Sequence, residues 1–333
     1  MKSTLNQLLE GIDHHLLTPL IGRSKTRRDD EGLVTAFLFH RLFESETPPS
    51  SVYPHERTTV RFFEAFVQAC HERGMNFITP KDLTAGKHLG RHNVMITFDD
   101  GYADNLRALP ILERLEARAT FFVAPAHIEE NRRFWCDAVW SQGERNLAHF
   151  QALPHAQAQH EIEQRWPGAL HSPTDDDRPM NLSEFKQLVS SPFVEIGHHS
   201  HNHTILSPRT SAFIENELQL ANAFFVQHMG HAPQAIAYPN GVYSPHLVDV
   251  CLQQGLSMGL TCEPRTERLG AKPDHLQRMR LGRYSVMGTR SIDKQLSSAL
   301  LEHSSKSAVY QFKRQLNRWK ARSDPRSAYD YGQ

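Results

Sequence analysis

Two short apolar runs constrain the fold of this chain most strongly. One covers Leu33–Phe39 (LVTAFLF) and the other covers residues 94–98 (VMITF), and neither contains a charged side chain. Such runs are typical of strands that are buried on both faces of a parallel sheet. The first ends at His40 and the second at Asp99. Because sites in parallel α/β folds form at the carboxyl ends of strands, we expect both side chains at one rim of the sheet.

Helical and extended patterns alternate along most of the remaining chain. Residues 58–75 predict a helix, because Phe62, Phe66 and Cys70 fall on one face and Gly74 follows them. Two more helices are predicted at 103–118 and 211–228, and short strands at 120–123, 193–196, 235–238 and 257–260. This alternation predicts an α/β fold with parallel strands, arranged either as a barrel or as an open sheet.

Two segments interrupt the alternation. Residues 127–181 are rich in Gln and His and contain a loop, PGALHSPTDDDRPMN, that is too long for an ordinary connection. We expect an insertion here that can act as a lid. The tail carries a basic amphipathic helix at 312–322. The predicted organisation is an N-terminal helical extension at 1–30, a main domain at 31–290, and a C-terminal helix and tail at 291–333.

The composition argues against several functional classes. Hydrophobic residues make up 39% and charged residues 22% of the 333 residues, which is typical of a globular protein with a sizeable core. Lys plus Arg equals Asp plus Glu at 37 each, so no nucleic-acid partner is expected. The 4 cysteines are widely separated, which argues against a zinc ribbon, a redox pair or a disulfide framework. The 21 histidines are unusual and indicate metal ligation or proton transfer.

The N-terminus and the hydropathy predict a cytoplasmic protein. Glu10 and Asp13 precede a short apolar stretch, a pattern unlike that of a secretory signal. No uncharged run approaches the roughly 18 residues that span a bilayer. The basic helix at 312–322 can bind peripherally to an anionic surface such as the inner membrane, or it can pack on its own domain.

The sharpest chemical signal follows the second buried strand. The sequence TFDDGY at 97–102 places Asp99 and Asp100 side by side at a strand end. Two adjacent carboxylates are costly there unless they are paired, hydrogen-bonded or bound to a cation. They either cap the following helix or belong to a site at the rim of the sheet, and we favour the site.

A second cluster, HHSHNH at 198–203, follows the predicted strand at 193–196. His199 and His203 are four residues apart, so on a helical turn both imidazoles face the same way and can share a metal ion. His198 and His201 would point elsewhere and can form an outer layer. With one carboxylate, the pair makes a two-His, one-carboxylate set with open positions for water, which is the ligand count of a catalytic metal site.

These residues together resemble a known family, the polysaccharide deacetylases with a NodB homology domain (carbohydrate esterase family four). TFDDGY is similar to its first motif, HSHNH at 199–203 to its second, and AYPNG at 237–241 to its third. The resemblance covers about residues 33–286. It implies a deformed α/β barrel of about seven strands, with its site at the strand C-termini, and an N-acetylated carbohydrate as substrate.

The resemblance also implies a role for each matching residue. Asp99 would be the general base, and Asp100, His199 and His203 would bind the metal, with Zn²⁺ as first choice and other divalent first-row metals as alternatives. The metal would polarise the amide carbonyl and a water while the base accepts the water's proton. The backbone N–H of Asn240 would stabilise the oxyanion. The implied substrate-binding residues are Tyr102, Tyr238, Pro239, Asn240 and Gly241.

The sequence departs from the family pattern at two places. The third motif begins with Ala237, where many members have an arginine that steadies the catalytic aspartate. Three arginines in a late strand-like stretch can replace it or can lie on the surface: Arg278, Arg280 and Arg283. The late Leu-His motif, whose histidine acts as general acid in many members, is also missing after residue 250.

A histidine that could serve as the general acid lies instead near the start of the chain. LFHRLF at 38–43 is similar to the YHRV start of the exopolysaccharide deacetylase branch, in which the barrel is circularly permuted. His40 is therefore the predicted general acid that protonates the leaving amine. The alternative is a histidine that only caps the strand.

The predicted function is metal-dependent N-deacetylation of a sugar in a polysaccharide, an oligosaccharide or its lipid-linked precursor, with release of acetate. One alternative is hydrolysis of another small carbon–nitrogen amide on the same fold. A non-enzymatic alternative is a catalytically dead carbohydrate-binding protein, which only the missing arginine favours. The aromatic residues at 134–140 either stack on sugar rings or form the core of an added helix.

Overall fold

A computed structural model describes residues 32–86, 89–269 and 275–301 of the chain. The strands are β1 (Leu33–Phe39), β2 (Asn76–Phe77), β3 (His92–Phe98), β4 (Ala119–Val123), β5 (Val194–His198), β6 (Ala235–Ala237), β7 (Met258–Leu260), β8 (Glu267–Arg268) and β9 (Arg283–Ser285). The helices before residue 150 are α1 (Val60–Glu72), α2 (Pro80–Thr84), α3 (Leu109–Arg114), α4 (Pro125–Glu130), α5 (Trp135–Ser141) and α6 (Ala148–Ala152). The later helices are α7 (His155–Arg165), α8 (Leu182–Ser190), α9 (Ser211–Met229), α10 (Pro245–Gln253), α11 (His275–Arg278) and α12 (Ile292–Leu301). The predicted extension at 1–30 and the basic stretch at 312–322 lie outside the described residues.

Within the described residues, the strands form one curled sheet in the order β7-β6-β5-β4-β3-β1-β8, with β2 on β3 and β9 on β1. The pairs along this order are parallel, except that β8 runs antiparallel to β1. Leu281, just before β9, bridges to Leu260 of β7. The stretch that contains β9 therefore touches both β1 and β7, and it draws the two sides of the curl together.

Alternate residues of the central strands face opposite sides of the sheet. Phe37 and Phe39 of β1 pack in the large core beneath the helices, whereas Val34 and Ala36 pack in a second core on the other face. Both sets are buried, which explains why the strand reads as a continuous apolar run. In β3, Ile96 and Phe98 face the helices in the same way. Because alternate residues face opposite sides, Asp99 follows the residues that face away from the helices.

The helix predicted at 103–118 is two helices. Residues Ala103–Ala108 form a 3₁₀-helix, and α3 begins at Leu109 with Pro110 in its first turn. Proline has no N–H to donate and its ring blocks the preceding helical turn, so it starts a helix more readily than it continues one. Glu116, with a φ of 47°, ends the segment before β4.

The predicted insertion at 127–181 is largely helical. It contains helices α5, α6 and α7, which share a small hydrophobic core of their own around Val139, Phe150 and Ile162. A buried ion pair joins Arg133 to Asp177, with 2.9 Å between Nη2 and Oδ2. The end of the segment returns to the Asp99–Asp100 loop, where the Met180 N–H donates to the Gly101 carbonyl at 3.0 Å.

The first helix of the predicted tail belongs to the main domain. Leu296 and Ala299 of α12 are buried in the large core, and α12 packs on α1. Asp293 pairs with the Arg73 guanidinium at 2.5 Å. The predicted boundary at 291 therefore falls inside the packed domain. Among the described residues, no helix is both long enough and apolar enough to cross a membrane.

Candidate active site

The register between β1 and β3 brings the two strand-end groups together. Phe39 lies opposite Phe98, and the Asp99 N–H donates to the Phe39 carbonyl at 3.0 Å. His40 and Asp99 are the next residues along these two parallel strands, so they emerge at the same rim. The sequence predicted that His40 and Asp99 lie at one rim of the sheet, and the pairing of β1 with β3 agrees with this.

The arginine that the third motif lacks is supplied by β9. Both Asp99 carboxylate oxygens accept from the Arg283 guanidinium, at 2.7 Å each, and Arg283 Nη1 also donates to Thr97 Oγ1 at 3.1 Å. Arg283 is fully buried. Of the other candidates, Arg280 is exposed and Arg278 lies at the end of α11. Burial alone would raise the pKa of Asp99, but Arg283 lowers it below its usual range, with smaller contributions from His199 and His40.

Asp100 stands in a backbone conformation that few residues adopt. Its φ is 76°, in the left-handed region, where strain costs on the order of 1–3 kcal/mol. Its Oδ1 lies 3.4 Å from His199 Nε2 and 3.3 Å from His203 Nε2. This oxygen is buried and has no hydrogen-bond partner. Burial would raise the pKa of Asp100, but the two histidines and His40 lower it below its ordinary value.

The histidine loop differs from its predicted form. Residues 199–203 are not helical: they follow β5 as a bent loop in which Ser200 and His203 have φ values of 56° and 55°. The two imidazoles nevertheless meet, with ring centroids 4.8 Å apart. His199 Nδ1 lies 2.8 Å from the Ala237 carbonyl, which orients its Nε2 towards Asp100. The left-handed backbone conformations of Ser200 and His203, and not a helical turn, bring the two imidazoles together.

A buried carboxylate on α9 holds this loop. Glu217 accepts from the backbone N–H groups of His201 and Asn202, at 3.2 and 3.0 Å, and from the Asn202 side chain at 2.8 Å. His198 accepts from the Ser200 N–H at 3.0 Å. His198 therefore supports the loop, as expected for an outer layer. Glu217 was not predicted from the sequence, because it looks like an ordinary helical glutamate.

The three groups that converge here fit a divalent metal ion. Ligand atoms of Asp100, His199 and His203 all lie within 4.8 Å of one another. One carboxylate oxygen and two imidazole nitrogens form a donor set that suits first-row divalent metals. The buried, unpartnered Asp100 oxygen is left without compensation unless a cation binds it.

In two neighbouring groups of potential ligands, several ligand atoms are already engaged in hydrogen bonds. One combines His40, His55 and Glu56, and the other combines His55, Cys136 and Asp137. In the first, His40 pairs with Glu56. In the second, the Tyr102 hydroxyl donates to Asp137 Oδ2 at 2.7 Å and lies 3.1 Å from His55 Nε2. The Asp100 group is therefore the better metal site.

His40 forms a close pair with a carboxylate. Its Nδ1 lies 2.9 Å from Glu56 Oε1, and its side chain is 21% exposed, so it can reach solvent at the rim. Burial would lower the pKa of His40, but Glu56, Asp100 and Asp99 together raise it to about 10. The ring is therefore protonated at neutral pH, as a general acid requires. Glu56 is a second group that the sequence did not indicate.

The predicted substrate-binding residues divide into buried and accessible ones. Tyr102 and Tyr238 are fully buried, and the Tyr238 hydroxyl donates to the Met279 carbonyl at 3.0 Å. Pro239 is buried as well. All three side chains are packed inside the protein, and their contact with substrate stays a prediction. Asn240 is exposed, with a φ of 56°, and Gly241 is partly exposed.

The aromatic segment at 134–140 is divided between the protein interior and a pocket. Phe134 is buried and stacks on His127 with ring centroids 3.8 Å apart. Trp140 Nε1 donates to the Ser50 carbonyl at 3.1 Å. Trp135 lines an open pocket together with His203 and Asn240. One aromatic side chain is therefore available to a ligand beside the histidine loop, and Phe134 belongs to the interior.

The model of the polysaccharide deacetylase family matches residues 86–259, which is more than half of the chain. The chain belongs to this family. The family is metal-dependent, and the matched region contains Asp99, Asp100, His199 and His203. The chain is also 24% identical, over 213 residues, to the protein YxkH of Bacillus subtilis (strain 168). That match covers 62% of this chain and 60% of YxkH, so the chain spans less than two thirds of that relative.

Solved structures share the fold of this polysaccharide deacetylase family member. The Streptococcus pyogenes deacetylase PplD, in complex with acetate, is similar with a TM-score of 0.57 at 15% identity, over 81% of this chain and 99% of PplD. IcaB from Ammonifex degensii is similar with a TM-score of 0.56 at 18% identity, over 82% of this chain and 98% of IcaB. At these identities the likeness concerns the fold, an α/β architecture with a curled half-barrel sheet of the NodB type.

Proposed function

We propose that this protein is a metal-dependent N-deacetylase. It would hydrolyse the acetamide of an N-acetylated sugar in a polysaccharide, an oligosaccharide or a lipid-linked precursor, and release acetate. The observation that carries the proposal is the buried Asp100 oxygen, which has no hydrogen-bond partner and lies within 3.4 Å of two imidazole nitrogens. Family membership supports the same chemistry.

The side chains around this oxygen can divide the reaction between them. Asp100, His199 and His203 would hold the ion, preferably Zn²⁺, which when bound polarises the amide carbonyl and a water molecule. Asp99 would accept the proton of the attacking water, because Arg283 keeps its carboxylate ionised and fixed in orientation. His40, protonated and paired with Glu56, would donate a proton to the leaving amine.

The exposed backbone at Asn240 would complete the site. Asn240 lines the same pocket as the metal-binding candidate His203. A main-chain N–H in such a position can stabilise the oxyanion that forms when water attacks the amide carbonyl. Because the donor belongs to the backbone, an Asn side chain at this position is compatible with the role.

Two features favour the exopolysaccharide deacetylase branch of the family. His40 lies on the first strand, and Arg283 lies on the last strand that pairs with it. A circular permutation of the barrel strands, with the acid histidine at the start of the chain, would account for this order. The two hydrogen bonds from Arg283 to Asp99 argue against a non-catalytic protein, because Arg283 can take the part of the arginine that is missing at Ala237.

The decisive experiment measures acetate. Metal-loaded protein is incubated with a chitooligosaccharide or an N-acetylglucosamine polymer, and acetate release is followed with and without a chelator. Release that stops on chelation and returns on addition of Zn²⁺ supports the proposal. Hydrolysis of simple non-sugar amides without any activity on N-acetyl sugars would favour the alternative of another small amide.

The His40–Glu56 pair predicts a pH effect. General-acid activity requires protonated His40, so it should fall as pH rises through the His40 pKa of about 10. Glu56→Gln removes the principal group that raises this pKa, and the alkaline limb of kcat/KM should move to lower pH by about 1–2 units. Glu44→Gln is a matched control, because the Glu44 side chain is 70% exposed. An alkaline limb that Glu56→Gln leaves in place would contradict the role of the pair.

A further inference from the structure

The pocket beside the histidine loop has a basic lining. It extends from His203 and Asn240 to Trp135, Arg209 and His155. Among the described side chains that line it, none is acidic. The pocket therefore joins the proposed catalytic groups to the positive charge of Arg209, and its described lining contains no carboxylate to balance that charge.

Arg209 is the central charge of this region. Its buried Nε has no hydrogen-bond partner, and in the described part of the chain its guanidinium makes neither an ion pair nor a side-chain hydrogen bond. Its one described side-chain contact is with the Phe213 ring, whose centroid lies 5.6 Å from Cζ. A ring contact of this kind uses none of the guanidinium N–H groups as hydrogen-bond donors to a polar group, so the planar donor set can bind a carboxylate or a phosphate.

His155 adds a second unsatisfied polar group. Its buried Nε2 also lacks a hydrogen-bond partner. Burial, together with nearby Arg132, His203 and Arg209, lowers the pKa of His155 to about 4, so the charged groups that act on this ring are basic. An anion in the pocket would compensate these charges and accept a hydrogen bond from the ring.

The backbone contributes to the same end of the pocket. Helix α7 begins at His155, and its first turn has no acidic residue and no side-chain cap. The free N–H groups at a helix N-terminus carry partial positive charge and favour anions. The first turn of α7, Arg209 and His155 thus line the same pocket as His203.

We propose that Arg209 and His155 form a subsite for an anionic group of the substrate. Resting on the proposed deacetylase function, this subsite makes the preferred substrate an N-acetylated sugar attached to a negatively charged unit, either a hexuronate carboxylate or a phosphate. Trp135 also lines the pocket and would provide a flat surface on which the pyranose ring can stack. The anion would be held beside the reacting acetamide and outside the metal ligands.

Binding of sugars without an acetamide tests the subsite independently of deacetylation. The probes are cellobiose as the neutral disaccharide, its uronic acid derivative, and glucose with a phosphate on its anomeric oxygen, titrated calorimetrically into Zn²⁺-loaded protein. We expect at least one anionic probe to bind about 10- to 100-fold more tightly than cellobiose. The tighter of the two anionic probes identifies the source of the charge.

Variants separate the subsite from direct binding to the metal. Arg209→Gln should remove the preference for the anionic probe, Arg209→Lys should keep part of it, and Arg61→Gln, at an exposed arginine of α1, should leave it unchanged. A preference that survives Arg209→Gln would assign the anion to the metal and overturn the proposal. Equal affinity of the native protein for neutral and anionic probes would also overturn it. Failure of the acetate assay, by contrast, would count against the deacetylase function alone.

Discussion

Asp100→Asn protein is expected to purify without its metal ion and to release no measurable acetate. The neutral amide removes the negative charge from the only carboxylate in the candidate ligand set of the described residues. Substitutions in the outer layer of a metal site cost roughly 10–100-fold in metal affinity, and loss of a direct ligand should cost more. Metal content is measured by mass spectrometry, and affinity by competition with a chelator.

The choice of asparagine keeps the backbone comparable. Asp100 has a φ of 76°, and Asn adopts the left-handed region more readily than most residues. A change in metal content can then be assigned to charge and not to a distorted loop. Asp249→Asn, at an exposed carboxylate on α10, is the matched control. If Asp100→Asn binds metal as tightly as the native protein, Asp100 is not a ligand.

Much of the rim could be predicted from the sequence, because its signals are local. A buried apolar run predicts a strand, and the residue that follows the run is therefore expected at the end of that strand. His40 and Asp99 were predicted in this way. The histidine cluster was predicted in the same way, because its motif directly follows a predicted strand. The predicted helical turn was wrong. Two residues with left-handed backbone conformations also bring His199 and His203 together, and hydrophobic periodicity does not reveal such residues.

The partners of these groups depend on contacts between distant parts of the chain. Arg283 reaches Asp99 across 184 positions, and three late arginines were equally eligible until β9 was paired with β1. Glu56 and Glu217 have no local signature, because each looks like an ordinary surface glutamate until the fold buries it against a loop. The burial of the Tyr238 ring could not be predicted for the converse reason, since a motif position does not tell whether the side chain turns inward.

The charges at the rim favour different roles for Asp99 and Asp100 although the two residues are adjacent. Asp99 is held by two hydrogen bonds from Arg283, so its negative charge is already compensated within the protein. Asp100 has only imidazoles near its Oδ1 and lacks a fixed cation. We therefore expect an added metal ion to bind at Asp100 and Asp99 to stay available to accept a proton.

Asp99→Asn protein is accordingly expected to keep its full metal content and lose about 10²–10⁴-fold in kcat/KM. The amide can accept a hydrogen bond from Arg283 but cannot take the proton of the attacking water. The measurement pairs acetate release with metal content, so a catalytic loss is distinguished from a binding loss. This contrast with Asp100→Asn tests the division of roles directly.

A second variant is needed to control for the stability of Asp99→Asn, because Arg283 is fully buried and would lose its counter-charge. Breaking a buried pair in this way typically costs about 3–5 kcal/mol. Asp99→Asn combined with Arg283→Gln removes both charges and should recover part of the melting temperature without recovering turnover. Metal-loaded, folded protein of either form that keeps turnover within tenfold of the native value would show that Asp99 is not the base, and the proton would have to pass to another group at the rim.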